Sequence, residues 1–252
     1  MPDFRPSAYP GQRLAQLVLD ELKARLLAGR YPVGSRISIE EVKAEFGVSK
    51  QPVMDAMRRL EATGIVQIVP QSGCRVASYS AQEIRDFFNL FGRFEGEIAA
   101  AAAARRSDAQ LAELDDTLQR IADLEKLDDP EERARDYRLR NREYHLVIHR
   151  MSHSRLMADL SERMWDLSDF LIITIGGIQQ LSGSLHDRNH DHDVIRTAIR
   201  SRNPDVARAA MESHITAPPA GLEVPVLRRA VPSRRQPPPP PEGFSVHGRA
   251  LA

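Results

Sequence analysis

The sequence has little of what cross-links or anchors a chain. Its 252 residues include one cysteine, Cys74, and no long apolar run. A single cysteine excludes an intrachain disulfide and a cysteine-based zinc cluster within one chain. The most apolar stretch, 97–104, is mostly alanine and far shorter than the roughly 20 residues that cross a bilayer. We expect Cys74 to be a semi-buried packing residue rather than a nucleophile.

The N-terminal residues also lack the apolar core of a signal peptide. Apolar residues make up 42% of the chain, as in a globular protein with a core of its own. We therefore expect a cytoplasmic protein of one large or two ordinary domains, with no membrane partner.

Net charge is absent too, but only because segments of opposite sign cancel. Residues 1–78 carry +3 (11 basic, 8 acidic), residues 79–216 carry −6 (19 and 25), and residues 217–252 carry +3 (5 and 2). A mildly basic first segment on an acidic body suits a protein whose first segment meets a polyanion.

The first segment predicts three helices followed by a hairpin. Apolar residues three and four apart predict a helix over 12–27, and Ser38 is the predicted N-cap of a second helix over 39–46. A third helix is predicted from Ser49 to about residue 62. Two runs rich in β-branched residues then flank turn-forming residues, and this order of elements is a winged helix-turn-helix over residues 8–78.

The remainder of the chain predicts helices only. Helical periodicity recurs six times, which predicts a mainly α fold with a bundle of six or seven helices over residues 79–216. Proline is concentrated beyond it, so we expect residues 217–252 to be a disordered Pro-rich tail. The six predicted helices span 81–106, 108–126, 130–151, 154–176, 182–201 and 204–216.

The third helix has the features of a helix that enters the major groove of DNA. In a helix-turn-helix the second helix of the motif directs its N-terminal residues toward the base edges. Here that helix begins with Ser49, Lys50 and Gln51, and the turn at 71–73 can reach a neighbouring groove. Charge alone is equally consistent with a capped amphipathic helix that has a solvated basic face. The order of elements favours a double-stranded DNA partner.

Residues 31–76 resemble the DNA-binding domain of the GntR family of bacterial transcription regulators. The family pattern is a Pro-Gly pair, then GVSRTPVREALR, then a GL and RG wing. The matching residues of this chain, in order, are Pro32, Gly34, Gly47, Val48, Ser49, Pro52, Val53, Ala56, Arg58, Leu60, Gly64 and Gly73.

The chain also departs from that pattern. Lys50 and Gln51 replace the usual Arg and Thr, Asp55 replaces Glu, and Met54 stands where the family has an Arg that contacts DNA. Methionine cannot make a bidentate contact to guanine, so either the operator differs or the affinity is lower. The predicted DNA-contacting residues are Arg36, Ser49, Lys50, Gln51, Pro52, Met54, Arg58, Gln71, Ser72 and Gly73.

Histidines are concentrated in the helical half. Seven of the eight lie between positions 145 and 214, and His145, His192 and His214 fall in three separate predicted helices. Imidazoles from separate helices of a bundle can converge on a divalent cation, although each one alone is more often a surface or satisfied core residue. We expect His149 and His190 to be solvated neighbours.

The helical half resembles the FCD effector domain of the FadR-type branch of GntR regulators. The similar stretches are FEGEIAAAAAARRSDAQLAEL, NREYH, a later His and DVARAAMESHI. The resemblance implies a divalent metal ion (Zn, Ni or Mn) held by an Asp and three His, which match His145, His192 and His214. Asn141 replaces the Asp, and its uncharged amide would hold the ion less tightly.

The resemblance further implies a homodimer that binds a small carboxylate effector beside the metal. The family often supplies an Arg four residues before the Glu that matches Glu95, but this position is Phe91 here. Arg93 lies two residues later, turned about 200° around the helix, and is the candidate effector-binding residue. A bulkier or less charged effector stays open.

These features predict a dimeric, ligand-responsive repressor or activator rather than an enzyme. Effector binding would change the spacing of two DNA-binding domains relative to half-sites about 34–36 Å apart. The alternative is a metal-dependent hydrolase in which Glu143 or Asp193 acts as base, but no HExxH, Gly-rich phosphate loop or GxSxG motif accompanies them. A winged helix that binds proteins is a third interpretation.

Overall fold

The computed structural model describes residues 10–71, 73–175 and 185–217. Its first part, which we call the head, contains three helices and a three-stranded antiparallel sheet with the strand order β1-β3-β2. The winged helix-turn-helix prediction is confirmed, and the short strand β1 is an addition to it. The elements are α1 (Pro10–Leu27), β1 (Arg36–Ile37), α2 (Ile39–Phe46), α3 (Lys50–Ala62), β2 (Val66–Val69) and β3 (Gly73–Val76).

Local signals set the boundaries of α2 and α3. The Ser38 hydroxyl accepts a hydrogen bond from the Glu41 amide, so it caps α2 as predicted. Gly47 ends α2 with φ +61°, a left-handed conformation that glycine adopts without steric cost. Ser49 lies at the N-cap position of α3, but its side chain makes no capping hydrogen bond.

The apolar face of α3 lies in the core of the head. Val53, Ala56 and Met57 have no exposed surface, and they belong to one buried cluster with residues of α1. Cys74 is fully buried in the same cluster, rather than semi-buried as expected, and burial raises the pKa of its thiol. The polar face of α3 therefore lies on the surface of the head.

The second part, which we call the helical domain, contains six α-helices and one short 3-10 turn among the described residues, as predicted for a bundle. The predicted helix over 108–126 becomes a 3-10 turn after residue 122. These parts of the predictions lie outside the described residues: 8–9 and 72 of the winged helix-turn-helix, 176 and 182–184 of two predicted helices, and 218–252 of the predicted tail. The helices are α4 (Ala81–Arg105), α5 (Asp108–Ala122), α6 (Pro130–Met151), α7 (Arg155–Thr174), α8 (Leu185–Arg200) and α9 (Pro204–Thr216), with the 3-10 turn at Asp123–Lys126.

Two glycines let α4 and α9 approach closely. A Cβ atom on Gly92 would lie 2.7 Å from Thr216 Cγ2, and one on Gly96 would lie 3.0 Å from the Arg208 carbonyl oxygen. Any larger residue would force the two helices apart. This contact brings Glu95 of α4 and His214 of α9 into one region of the bundle.

Helix α7 joins the two parts. Phe170 and Leu171 of α7 belong to the same buried cluster as Leu22 of α1. At the edge of this cluster Lys23 Nζ lies 2.5 Å from Asp166 Oδ2, an ion pair between the head and the helical domain. No helix among the described residues is long and apolar enough to cross a membrane.

Candidate functional site

The start of α3 exposes a strip of polar side chains. Lys50, Gln51 and Arg58 are exposed. Gln51 Nε2 and Arg58 Nη1 both donate to the same oxygen of Asp55, at 2.9 and 2.7 Å, so this carboxylate holds both side chains on one face of the helix. The remaining N–H groups of Arg58 and the Lys50 ammonium have no partner within the described ranges, so they can meet phosphate or base acceptors.

The other predicted DNA contacts divide into exposed and buried positions. Arg36 is exposed. It lies beside Gly73 at the start of β3, since a Cβ atom on that glycine would be 3.6 Å from the Arg36 Nε atom. Gln71 is exposed and has a positive φ of 63°. Pro52 is buried and Met54 is half-buried, so the structure gives Pro52 a packing position. Ser72 lies outside the described residues.

Three histidines converge in the helical domain. His145 of α6, His192 of α8 and His214 of α9 each offer a ring nitrogen, and these atoms lie within 4.8 Å of one another. His145 and His192 have no exposed surface, and His214 is 4% exposed. We call these three residues the histidine cluster.

Burial keeps the histidine cluster uncharged. Desolvation lowers the pKa of His145 and of His192 well below the ordinary value, and it lowers the pKa of His214 as well. The neighbouring Arg188 guanidinium adds to the lowering in all three. Because neutral imidazole is the form that ligates metals, the cluster is in its ligating form near neutral pH.

Two histidines of the cluster lack hydrogen-bond partners among the described residues. Both ring nitrogens of His145 and both of His192 are buried without a hydrogen-bond partner. Such unpaired groups are costly, at about 1–3 kcal/mol each, and they call for an explanation such as an ion. Imidazole suits Zn, Ni and related divalent ions, so these residues fit a metal.

Asp191 holds His214 in place for such a role. The Nδ1–H of His214 donates to Asp191 Oδ2 at 3.3 Å, which leaves Nε2 as the atom available to an ion. The same hydrogen bond holds the pKa of Asp191 below its usual range, so the carboxylate stays ionised. A carboxylate behind a ligating imidazole orients the ring and raises its basicity.

The other two residues predicted to bind the metal or effector, Asn141 and Arg93, are not part of the histidine cluster. Asn141 is half-buried, one turn before His145 on α6, and its Oδ1 accepts from the Tyr137 hydroxyl at 3.4 Å. The three histidines converge without it, so its role as a fourth ligand stays a prediction. The Arg93 side chain is 75% exposed and lies 3.6 Å from Glu212, outside the buried cluster.

A buried polar network beside the cluster is a feature that the sequence analysis missed. His149 is 2% exposed, so the expectation that it is solvated is wrong. Its Nε2 lies 2.9 Å from Glu95 Oε2, and the Ser161 hydroxyl donates to the other oxygen of this carboxylate. The spacing of four from His145 was the available signal, since it puts both rings on one helix face. His190 is exposed, as expected.

Trp165 completes the surroundings of His145 and was also missed. The two ring centroids are 4.4 Å apart, and Phe91 packs edge-on against the tryptophan at 5.4 Å. Trp165 is 4% exposed, and Phe91 has no exposed surface. An aromatic wall therefore lies on one side of the cluster, where the sequence comparison with GntR regulators had emphasised an arginine.

The carboxylates proposed for a hydrolase lie elsewhere. Glu143 is 41% exposed and pairs with Arg120 and Arg140, and Asp193 is 51% exposed and pairs with Arg196. Neither belongs to the group of potential metal ligands formed by the histidine cluster. Neither of the two carboxylates proposed as the base therefore lies at the histidine cluster.

The two parts together define a regulator, with a winged helix-turn-helix on a helical domain that contains a buried cluster. Comparison with known families agrees. The pattern described as "Bacterial regulatory proteins, gntR family" matches residues 14–76, and the FCD domain matches residues 86–217. The chain belongs to the GntR family and carries an FCD domain. It is a transcription regulator with a DNA-binding helix-turn-helix, not an enzyme.

Curated relatives extend over most of the chain. The transcriptional repressor GlaR of Escherichia coli K12 is 24% identical over 215 residues, which cover 83% of this chain and 94% of GlaR. The repressor RspR of the same organism is 26% identical over 213 residues, covering 82% and 87%. Among solved structures, E. coli McbR/YncC superposes with a TM-score of 0.62 at 20% identity, covering 80% of this chain and 93% of that one, a likeness of fold.

Proposed function

We propose that this protein is a metal-dependent, effector-responsive repressor that binds operator DNA as a homodimer. One observation carries the proposal: three neutral, buried histidines, two of them with ring nitrogens that no described residue satisfies, lie in the same molecule as an exposed polar strip on α3. The names of GlaR and RspR support repression rather than activation.

The proposed DNA contacts come from α3 and the wing. Lys50 and Gln51 lie at the N-terminal end of α3, the end that approaches base edges in a helix-turn-helix. Arg58 lies two turns further along α3 and is held by Asp55. Arg36 of β1 and Gln71 of the β2–β3 turn would contact the phosphate backbone of the DNA. The half-buried Met54 would meet the methyl group of thymine rather than guanine.

The proposed ligand of the FCD domain is a small carboxylate on a divalent ion. The histidine cluster and Asn141 would hold the ion, and neutral ligands leave its positive charge uncompensated. An anionic oxygen is the natural additional ligand for such an ion. The metal would supply Lewis-acid binding of that oxygen, and the protein would supply its position.

The proposed signal travels through α7. Trp165 of α7 contacts His145, and the next residue, Asp166, pairs with Lys23 of the head and with Arg142 of α6. A ligand that shifts Trp165 would therefore shift the ion pair that ties the head to the helical domain. In a dimer, a change in the angle of each head changes the spacing of the two α3 helices relative to two half-sites.

Fluorescence anisotropy with a labelled fragment of the promoter nearest the gene tests the DNA-binding part. We expect tight binding that weakens steeply as salt rises, because phosphate contacts release counterions. An unrelated duplex of equal length provides the control. Equal affinity for both duplexes would contradict operator recognition, and binding that does not respond to salt would contradict contacts from this basic strip.

A further inference from the structure

The indole of Trp165 carries a buried donor that a metal ion cannot satisfy, unlike the nitrogens of the histidine cluster. Its Nε1–H is buried without a hydrogen-bond partner in residues 10–71, 73–175 and 185–217, and the residue is 4% exposed. A histidine nitrogen left unpaired can be satisfied by a metal ion. An indole nitrogen cannot, because it has no lone pair for an ion and acts only as a donor. The partner of this group must be an acceptor atom.

Three carboxylates of this region, those of Glu95, Asp166 and Asp169, already have partners. Asp166 accepts from Lys23 and Arg142, and its neighbour Asp169 lies 3.2 Å from Arg142. Glu95 accepts from His149 and Ser161. None of these three carboxylates is therefore free for the indole, and an unmet buried donor in a folded protein calls for an acceptor that they do not supply.

The position of Trp165 indicates which kind of ligand. The centroid of its ring lies 4.4 Å from that of His145, so the indole belongs to the immediate surroundings of the histidine cluster. A ligand that binds an ion there through one oxygen has a second oxygen at hand if it is a carboxylate. Hydrogen bonds to a charged acceptor are also the stronger kind.

We infer that the Nε1–H of Trp165 donates a hydrogen bond to a carboxylate oxygen of the effector. This inference rests on the proposed function, because it names a contact of the same effector. It makes Trp165 a ligand-binding residue on α7, the helix whose next residue pairs with the head. Ligand contact and domain contact are then adjacent in the chain.

The single tryptophan provides a direct test. Full-length protein carrying isotope-labelled tryptophan gives a single indole N–H resonance, because the two protomers of a symmetric dimer are equivalent. We would titrate acetate, succinate and citrate with Zn²⁺ present, and acetamide as the neutral control. The inference predicts a downfield, saturable movement of this resonance with at least one carboxylate and none with acetamide. A resonance unmoved by all three carboxylates overturns it, as does equal movement with acetamide.

Trp165→Phe removes the donor and keeps an aromatic ring. We expect the affinity for the responding carboxylate to fall roughly tenfold or more, the value of a hydrogen bond to a charged group. Zn²⁺ affinity should stay the same, because phenylalanine leaves the three imidazoles intact. Unchanged carboxylate affinity in this variant overturns the inference, and the wild-type resonance decides the matter if the variant does not fold.

The same titrations separate this inference from the proposed function. Zn²⁺ binding is followed by calorimetry in wild-type protein before any carboxylate is added. If the protein binds Zn²⁺ but its indole resonance does not move with any carboxylate, the proposed metal site stands and only the Trp165 contact is refuted. A protein whose indole responds to a carboxylate but that binds no Zn²⁺ retains the contact and loses the metal.

Discussion

The head and the helical domain place polar groups in opposite ways. In the described chain all thirteen buried polar or charged residues lie in the helical domain, from Glu95 onward. The head buries apolar residues and exposes Lys50, Gln51 and Arg58. The helical domain buries His145 and His192, whose ring nitrogens have no partner in the part of the chain that the structure describes. A surface that meets a large polyanion can stay hydrated until it binds, whereas a site for a small ligand must already be desolvated.

In the head the exposed side chains determine specificity, and in the helical domain the buried ones do. Exposed donors on α3 cost the fold almost nothing, so they can vary with the operator. Buried unpaired donors and lone pairs lower stability by about 1–3 kcal/mol each, and that cost is offset only when a ligand binds. Substitutions in each half, and in the contact between the halves, separate these two kinds of specificity.

The largest effect is expected from the exposed strip of the head. The triple variant Lys50→Ala, Gln51→Ala, Arg58→Ala removes three side chains that would meet bases or phosphates. At about 1–3 kcal/mol each, we expect roughly a thousandfold weaker operator binding by anisotropy. Arg155→Ala, whose side chain is 93% exposed at the start of α7, removes charge elsewhere as the control. Wild-type affinity in the triple variant would show that α3 does not contact the operator.

The next effect belongs to the buried cluster. His145→Ala removes one of three convergent nitrogens, and we expect Zn²⁺ affinity to fall more than about 100-fold in calorimetry, exceeding the usual effect of changing a residue behind a ligand. The matched control is His190→Ala, an exposed histidine two residues from His192, which should bind Zn²⁺ like wild type. Equal losses in both variants would refute a localised site.

A smaller effect should follow from the residue behind a ligand. Asp191→Asn keeps the shape of the side chain but removes the charge that holds His214, and a loss of about 10- to 100-fold in Zn²⁺ affinity is expected. Asp193→Asn, on the same helix but paired with Arg196 at the surface, serves as the comparison. If the two variants bind Zn²⁺ equally, Asp191 does not position His214 for the ion.

The smallest effect is expected from the link between the halves. Lys23→Ala removes the head's partner of Asp166, which keeps Arg142, so stability should change by less than about 1 kcal/mol. The response of operator affinity to metal should change by about 0.5–2 kcal/mol. Lys43→Ala, a comparably exposed lysine paired within α2, should leave that response unchanged. An unaltered response in Lys23→Ala would remove this ion pair from the signal path.

The sequence predicted the two halves unequally well, for physical reasons. Helix periodicity and caps are local, so α2, with its Ser38 cap and Gly47 end, was predicted to the residue. Strand β1 was missed because two residues carry no periodicity, and only pairing with β3 defines them. Cys74 proved more buried than expected because the sheet and α3 enclose it together.

The buried site shows the same limit more sharply. The three histidines were found because a family pattern and their positions in separate helices pointed to them. His149 was expected to be solvated. Its spacing of four from His145 puts both rings on one helix face, but no local signal reveals that Glu95 and Ser161 lie opposite it. Trp165 was missed for the same reason. Contacts between α4, α6 and α7 depend on how helices pack, and a sequence pattern does not carry that information.

The most direct test of the account is whether the buried cluster controls the exposed helix. Operator affinity of the wild-type protein is measured by anisotropy with saturating Zn²⁺ and again with a chelator. Typical coupling energies predict a difference of about 5- to 150-fold, absent in His145→Ala. Equal operator affinity with and without metal in the wild-type protein, under conditions where calorimetry detects bound Zn²⁺, would contradict it.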